Sequence, residues 1–192
     1  MIVDLGTGDG RAVLARALVD PRALVIGVDA APAAMAEASR RVQRRGPANA
    51  VFLAAGVEGL ADTPLAGVAD LVTVTFPWGS LLRGALGLDD PATAGIAAVL
   101  AARGTLQVLT SVRPSDRLPD VSSIDERAAP AIAAAWRRAG VDLVAMRPAT
   151  ATEIAAAGSS WGRRLRATTA RDSGRSVWRL DGVARRVARR AG

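Results

Sequence analysis

Cysteine, histidine, tyrosine and lysine are all missing from this chain of 192 residues. Without cysteine or histidine the chain has no thiolate or imidazole for a zinc or iron–sulfur site, no cysteine nucleophile and no Ser-His-Asp triad, so no metal is expected. The lack of cysteine also removes any disulfide that would indicate an oxidising compartment, and a cytoplasmic location is expected. Long uncharged apolar runs are missing too, which argues against a transmembrane helix and a membrane partner.

The basic charge is carried by arginine alone and is concentrated near the C-terminus. The chain has 25 arginines against 18 acidic residues, a net charge of +7. Ten of the arginines follow Gly158, where the only acids are Asp172 and Asp181, so this part carries +8 and the remainder is close to neutral. This imbalance predicts a polyanionic partner, with nucleic acid ahead of an anionic membrane surface. A solvated charged face is the alternative.

The strongest local pattern lies in the first ten residues. A short apolar run, Met1–Val3, leads into a turn with glycine at positions 6, 8 and 10, and a helical pattern begins at Arg11. This arrangement brings a backbone close to a nucleotide-like ligand. The G-x-G-x-G spacing is one residue shorter than the dinucleotide fingerprint and resembles motif I of S-adenosylmethionine (SAM) methyltransferases. Asp4 and Asp9 fit this difference, because carboxylates would repel a pyrophosphate but tolerate a sulfonium or ammonium group. An ordinary glycine turn is the alternative.

Apolar runs and helical patterns alternate along the rest of the chain. This alternation predicts one α/β domain over residues 1–192, with a mostly parallel, seven-stranded sheet, helices on both faces and an antiparallel last strand. That is the Rossmann-like fold of class I SAM-dependent methyltransferases. After the first strand, the predicted strands are Leu24–Val28, Val51–Ala54, Asp70–Phe76, Thr105–Ser111, Val141–Met146 and Val177–Leu180. The predicted helices are Arg11–Val19, Pro32–Arg45, Asp125–Ala139 and Thr152–Ala157, with several helical stretches over Leu81–Ala102.

Polar side chains follow the predicted parallel strands at the edge of the sheet where ligands bind. Asp29 ends the second strand and is positioned to hold ribose hydroxyls, although an acid there also suits a helix N-cap. Glu58 follows the third strand, where an acid often faces an adenine; an exposed loop acid is the alternative. The segment 76–80 follows the fourth strand. These strand ends are expected to converge on one site.

Four tryptophans supply most of the six aromatic side chains of the chain. Trp78 follows the fourth strand, where a methyltransferase places its acceptor, and Trp161 lies in the basic segment. Two indoles in one cleft would clamp a planar base from both faces. Core packing is the alternative for these two, and it is the interpretation that we assign to Trp136 and Trp178.

Five stretches of the chain form a combined pattern: Val3–Arg11, Ile26–Ala30, Ser39–Arg41, Val72–Gly84 and Ser159–Gly162. The most specific part is the string F-P-W-G-S-L-L-R-G at residues 76–84, whereas the glycine turn indicates only a methyltransferase. Together these stretches resemble the Kam family, the aminoglycoside-resistance methyltransferases that modify N1 of an adenine in the decoding site of 16S ribosomal RNA.

The resemblance implies SAM as cofactor and 16S rRNA in the small ribosomal subunit as partner, with a monomeric enzyme. Family members carry a hairpin before the first strand; this chain begins inside that strand, so the hairpin is expected to be missing. Residues 150–176 are expected to form an RNA- and substrate-binding linker. The resemblance implies that Asp4 and Gly6 contact the methionine part of SAM, Asp29 the ribose, and Val57 and Glu58 the adenine. Further implied cofactor contacts are Gly8, Phe76, Ser80 and Ser159. Trp78 and Trp161 would form a catalytic sandwich of the target base, and the RNA backbone would be held by Arg164, Arg166 and Arg171.

Three other functions remain open at the level of sequence. The first is a methyltransferase that acts on another RNA or on a small molecule, although a small-molecule enzyme would not need the basic C-terminal part. The second is a non-catalytic RNA-binding protein built on a methyltransferase scaffold. The third, a nicotinamide-dependent oxidoreductase, is disfavoured by the glycine spacing.

Overall fold

The computed structural model of the chain describes residues 1–112, 124–157 and 176–185. These residues form a seven-stranded sheet with the strand order β3-β2-β1-β4-β5-β7-β6. Within them, no helix is long and apolar enough to cross a membrane. The strands are Ile2–Leu5 (β1), Val25–Asp29 (β2), Ala50–Ala54 (β3), Ala69–Thr75 (β4), Leu100–Thr110 (β5), Val141–Pro148 (β6) and Trp178–Ala184 (β7).

Helices cover both faces of the sheet. Two short 3-10 helices lie at Val57–Asp62 and Glu126–Ala128. The α-helices are Arg11–Val19 (α1), Pro32–Arg45 (α2), Gly79–Ala85 (α3), Asp90–Val99 (α4), Ala129–Arg138 (α5) and Ala151–Ala156 (α6).

Strand direction confirms the predicted mixed sheet. The ladders that join β1 to β2 and β4, β2 to β3, and β4 to β5 are parallel. The last strand, β7, is inserted between β5 and β6 and is antiparallel to both. The carboxyl ends of β1 to β5 therefore all point to one edge of the sheet.

Two apolar layers hold the helices on the sheet. On one face, α1 and α2 pack against β2 and β3 around Val13, Ala17 and Ala38. On the other face, α3, α4 and α5 enclose the larger core, in which Val72 and Trp136 are fully buried. The indole Nε1 of Trp136 donates a hydrogen bond to the carbonyl of Ala85, 3.1 Å away. Trp136 and Trp178 are thus core residues, as predicted.

The helical stretches predicted over Leu81–Ala102 are present, but they end before Leu100. The chain forms α3 and α4 with a break between them, and Leu100–Ala102 already belongs to β5. Leu100 pairs with Ala69 at the start of β4. Strand pairing here overrides the helix propensity of an alanine-rich segment.

Several predicted element ends also differ from the structure. The fourth strand ends at Thr75 rather than Phe76, because Phe76 leaves the extended conformation with φ of 50°. The last strand continues to Ala184, since its Asp181-Gly182 pair, though poor for a strand, is held between partners on both sides. The helix predicted from Asp125 begins as a 3-10 turn capped by the Asp125 carboxylate.

Candidate functional site

A cleft of about 620 Å³ opens at the carboxyl ends of the parallel strands. It contains every predicted site residue that lies within the described part of the chain. Ser159, Trp161, Arg164, Arg166 and Arg171 lie outside the described residues. The predicted residues that line the cleft are Asp4, Gly6, Gly8, Asp29, Val57, Glu58, Phe76, Trp78 and Ser80.

The glycine turn uses its glycines for different purposes. Gly6, Gly8 and Gly10 all have positive φ, between 55° and 72°. A Cβ on Gly10 would lie 2.6 Å from the ring of Phe52 and 2.7 Å from Ala38, so this glycine permits α1 to pack. A Cβ on Gly8 would meet nothing within 4 Å. Gly8 therefore leaves open space on the side of the cleft, where a ligand can approach the backbone.

The Asp29 carboxylate joins the glycine turn to the end of β2. Its Oδ2 accepts a hydrogen bond from the N–H of Gly8 at 2.9 Å, and its Oδ1 accepts one from the N–H of Ala31, also at 2.9 Å. Ala31, rather than Asp29, is the N-cap of α2. Each carboxylate oxygen keeps a second lone pair, so the half-buried Asp29 can still accept hydrogen bonds from hydroxyl groups of a ligand.

Asp4 is a buried carboxylate at the base of the cleft, with 8% of its surface exposed. Burial raises the pKa of this carboxyl, and a hydrogen bond from the Thr73 hydroxyl opposes the rise. The Thr73 Oγ1 lies 2.7 Å from Asp4 Oδ1. A carboxylate that is ionised in a poorly solvated place is stabilised by a cationic ligand. Sequence reasoning missed Thr73, because its side chain meets Asp4 only after β1 and β4 pair in this register.

Asp9 lies at the N-terminus of α1. Its Oδ1 accepts a hydrogen bond from the N–H of Arg11 at 3.2 Å, and its Oδ2 lies 3.3 Å from the Arg11 guanidinium. In dinucleotide-binding folds this helix N-terminus takes the pyrophosphate. Here the protein places its own carboxylate beside it, which disfavours a phosphate ligand and favours one that carries positive charge.

Glu58 and Ser80 bring the ends of β3 and β4 together at the cleft. A hydrogen bond from the Ser80 hydroxyl lowers the pKa of the Glu58 carboxyl, which is otherwise exposed to solvent. Val57, immediately before it, is buried in the main core. Gly95 of α4 lets that helix approach the Val57 backbone, because a Cβ there would lie 1.9 Å from the Val57 carbonyl oxygen. The position of Glu58 is thus set by packing that involves a residue far away in sequence.

Trp78 is exposed at the cleft and is not a core residue. It is the N-cap of α3, and 53% of its surface is accessible. An exposed indole beside a ligand cleft provides a flat surface for a planar base. Within the described ranges, no group of three or more acidic side chains is arranged to hold a metal ion.

Comparison with known proteins identifies the family. A family model described as NpmA, 16S rRNA (adenine(1408)-N(1))-methyltransferase, matches residues 1–177. A protein of that same name from Streptoalloteichus hindustanus is 35% identical over 176 residues, which cover 86% of this chain and 80% of the relative.

The chain belongs to the 16S rRNA (adenine(1408)-N(1))-methyltransferase family.

Solved structures of 16S rRNA methyltransferases have the same fold as this chain. The crystal structure of KamB superposes with a TM-score of 0.84 at 30% identity and covers 96% of this chain and 87% of KamB. A tryptophan-to-alanine variant of the enzyme from Catenulisporales acidiphilia, solved with its cosubstrate SAM, gives a TM-score of 0.81 at 29% identity, over 97% of this chain and 86% of that one. The predicted resemblance to the Kam family and the predicted class I methyltransferase fold are thereby confirmed.

Proposed function

We propose that this chain transfers a methyl group from SAM to N1 of adenine 1408 in the decoding site of 16S rRNA, and that the modified ribosome resists aminoglycosides. The observation that carries the proposal is the position of the exposed Trp78 beside a cleft lined by Asp4, Asp29 and Glu58. The family to which the chain belongs is named for this reaction. A methyltransferase that acts on another RNA or on a small molecule, and a non-catalytic RNA-binding protein, are the outcomes against which the proposal is tested.

The residues of the cleft fit SAM better than a nucleotide with phosphates. SAM carries a sulfonium and an ammonium group, and the cleft offers the buried Asp4 and keeps Asp9 at the helix N-terminus. In the proposed arrangement Asp4, Gly6 and Gly8 hold the methionine part and Asp29 accepts hydrogen bonds from the ribose. Val57, Glu58, Ser80 and Ser159 are the remaining proposed contacts of the cofactor.

The chemistry suits a chain that lacks histidine, cysteine, lysine and tyrosine. When bound, SAM would supply an electrophilic methyl group: the lone pair of adenine N1 would form the new N–C bond in line as the C–S bond breaks, and the sulfonium would leave as a neutral thioether. No side chain has to remove a proton first, because N1 of an unpaired adenine is unprotonated at neutral pH. The protein therefore contributes positioning, which by itself can supply a large part of a rate enhancement.

The two tryptophans are proposed to hold the target base. Extruding the adenine costs a few kcal/mol, and stacking on an aromatic face returns about 1–3 kcal/mol per base. Trp78 would supply one face and Trp161 the other. Methylated adenine carries a positive charge, which the negative faces of two indoles stabilise.

Arginines are proposed to hold the folded RNA through its phosphates. Arg164, Arg166 and Arg171 are the proposed contacts beyond Trp161. The described part of the chain adds an exposed row on α2, where only Glu37 offsets the arginines and pairs with one of them. Phosphate contacts of this kind give affinity without sequence readout, so specificity is expected from RNA shape. The row consists of Arg40, Arg41, Arg44 and Arg45.

Primer extension on small ribosomal subunits tests the proposal. Subunits incubated with protein and SAM should give one new stop at the decoding-site adenine, and none without SAM. One chain supplies the described cleft, so we expect a monomer to be active. A stop at another position, or methylation of transfer RNA or of a small molecule alone, would select the other-substrate function. If the protein binds small subunits but does not bind SAM, it is a non-catalytic RNA-binding protein.

A further inference from the structure

Phe76 adopts a backbone conformation that a bulky residue rarely takes. Its φ is 50°, and among the described residues only Phe76 and Arg103 combine a side chain with positive φ. The N–H of Phe76 donates a hydrogen bond to the carbonyl of Leu109 at 2.7 Å, which fixes the turn between β4 and Trp78. Strain of this kind persists only where surrounding contacts hold it, and it is concentrated at functional sites.

The Phe76 side chain belongs to a small apolar cluster that is separate from the two main layers. Phe76, Leu109 and Val177 are buried, with exposed fractions of 9%, 8% and 5%. Ile154 and Ala157 of the α6 region pack against them. Ala157 comes directly before residues 158–175, and Val177 comes just after them. The cluster therefore joins the turn that carries Trp78 to the C-terminal end of α6 and to the residue before β7.

Polar contacts hold α6 in place from its other side. The helix begins with a capping box in which Thr150 and Glu153 exchange hydrogen bonds with each other's backbone N–H groups. The Glu153 carboxylate also accepts a hydrogen bond from the Arg147 guanidinium at 2.6 Å and forms an ion pair with the Arg179 guanidinium at 3.1 Å. Because Arg147 lies on β6 and Arg179 on β7, α6 is tied to both strands. The apolar contact between α6 and Phe76 then connects α6 and the two strands to the turn that carries Trp78.

We propose that Phe76 is a positioning residue for the target base: its ring sets the Trp78 turn relative to the chain at Ala157 and Val177. This inference rests on the proposed function, since it assigns Phe76 to the acceptor side of the same site. It differs from the cofactor contact that the family resemblance implies for Phe76. A cofactor contact would affect SAM affinity, whereas a positioning residue affects the rate of transfer to bound RNA.

Two substitutions, Phe76→Ala and Phe76→Leu, test the inference, with Ile132→Ala as a matched control. Ile132 is equally well buried, with 6% exposed, but lies on α5 in the layer away from the cluster. Phe76→Ala should lower kcat on small subunits about tenfold or more, while the Kd for SAM in calorimetry stays within about threefold. Phe76→Leu should recover part of the rate. Ile132→Ala should lower the melting temperature without this loss of kcat.

A second measurement does not depend on methyl transfer. Phe76→Ala should speed amide hydrogen exchange at Ile154, Ala157 and Val177, which pack in the same cluster, about tenfold, and Ile132→Ala should not. The inference is overturned if Phe76→Ala keeps its kcat, if SAM affinity falls in step with the rate, if Ile132→Ala loses as much activity, or if exchange at the cluster is unchanged. A wild-type protein that methylates nothing refutes the proposed function instead, and the exchange rates still decide whether Phe76 holds the cluster together.

Discussion

Replacing Asp4 with asparagine should separate cofactor binding from folding. Asp4 is buried, and its carboxyl has a raised pKa because ionisation there is poorly solvated. Asparagine has nearly the same shape and keeps an oxygen that can accept the Thr73 hydrogen bond. The substitution removes the charge that we propose to face the cation of SAM. It therefore should weaken SAM binding while the free energy of unfolding at neutral pH stays the same or rises.

The expected loss of affinity follows from the burial of the carboxylate. A hydrogen bond to a charged group contributes about 1.5–3 kcal/mol, and because Asp4 is almost fully enclosed, screening by solvent reduces this little. We expect a loss of about 2–3 kcal/mol, which corresponds to SAM binding that is about 30 to 150 times weaker. Calorimetric titration measures this directly.

The pH dependence of stability and of SAM affinity provides an independent check of the role of the Asp4 carboxylate. Because the folded-state pKa of Asp4 lies above its ordinary value of 3.8, the folded protein binds more protons than the unfolded chain between that value and the raised one. The contribution of Asp4 to stability is then present at low pH and is lost as pH rises through this window. SAM affinity should rise through the same window, because the cation prefers the carboxylate. Both trends should vanish in Asp4→Asn.

The exposed Asp62 supplies the control for this experiment, since Asp62→Asn makes the same chemical change in a 3-10 helix and should alter neither SAM affinity nor its pH dependence. Unchanged SAM binding in Asp4→Asn would refute the proposed contact. A large fall in melting temperature would show instead that the charge supports the fold.

Three further perturbations test other parts of the site. Trp78→Ala should abolish methyl transfer while SAM still binds in calorimetry, and SAM binding lost in step with activity would count against the base sandwich. Gly8→Ala should weaken SAM binding with a modest fall in melting temperature. Gly10→Ala should mainly destabilise the fold, by about 1–3 kcal/mol, because its methyl group would overlap Phe52. If the two variants changed SAM affinity and melting temperature equally, the separate roles of Gly8 and Gly10 would be contradicted. Arg41→Ala should weaken binding to small subunits and lower the salt dependence by about one ion, and Arg127→Ala, on the opposite face of the sheet, should not.

The order of strands and turns along the chain was sufficient to predict most of the site. Parallel strands place their carboxyl ends together, so residues that directly follow them, such as Asp29, Glu58 and Trp78, were predicted to converge, and they line one cleft. The glycine turn is likewise local, because positive φ at Gly6 and Gly8 depends on residue type more than on distant contacts. The individual roles assigned to these residues stay predictions.

Pairings between residues far apart in sequence were not predictable in the same way. Leu100–Ala102 reads as helix from its composition and becomes strand because it pairs with β4. The hydrogen bond between Thr73 and Asp4 depends on the register of two strands, and the bond between Gly8 and Asp29 on the approach of the turn to β2.

The chain's own pattern thus determined the kind of ligand expected and the edge of the sheet where the cleft opens, because charge, glycine spacing and strand order are properties of the sequence. Only the tertiary structure decided how strongly each group is buried and which segments are joined. Asp4 has a raised pKa because the folded chain encloses it. Phe76 keeps its strained conformation beside Leu109 and Val177, which lie 33 and 101 residues further along the sequence and reach it only through the packing of β5 and β7.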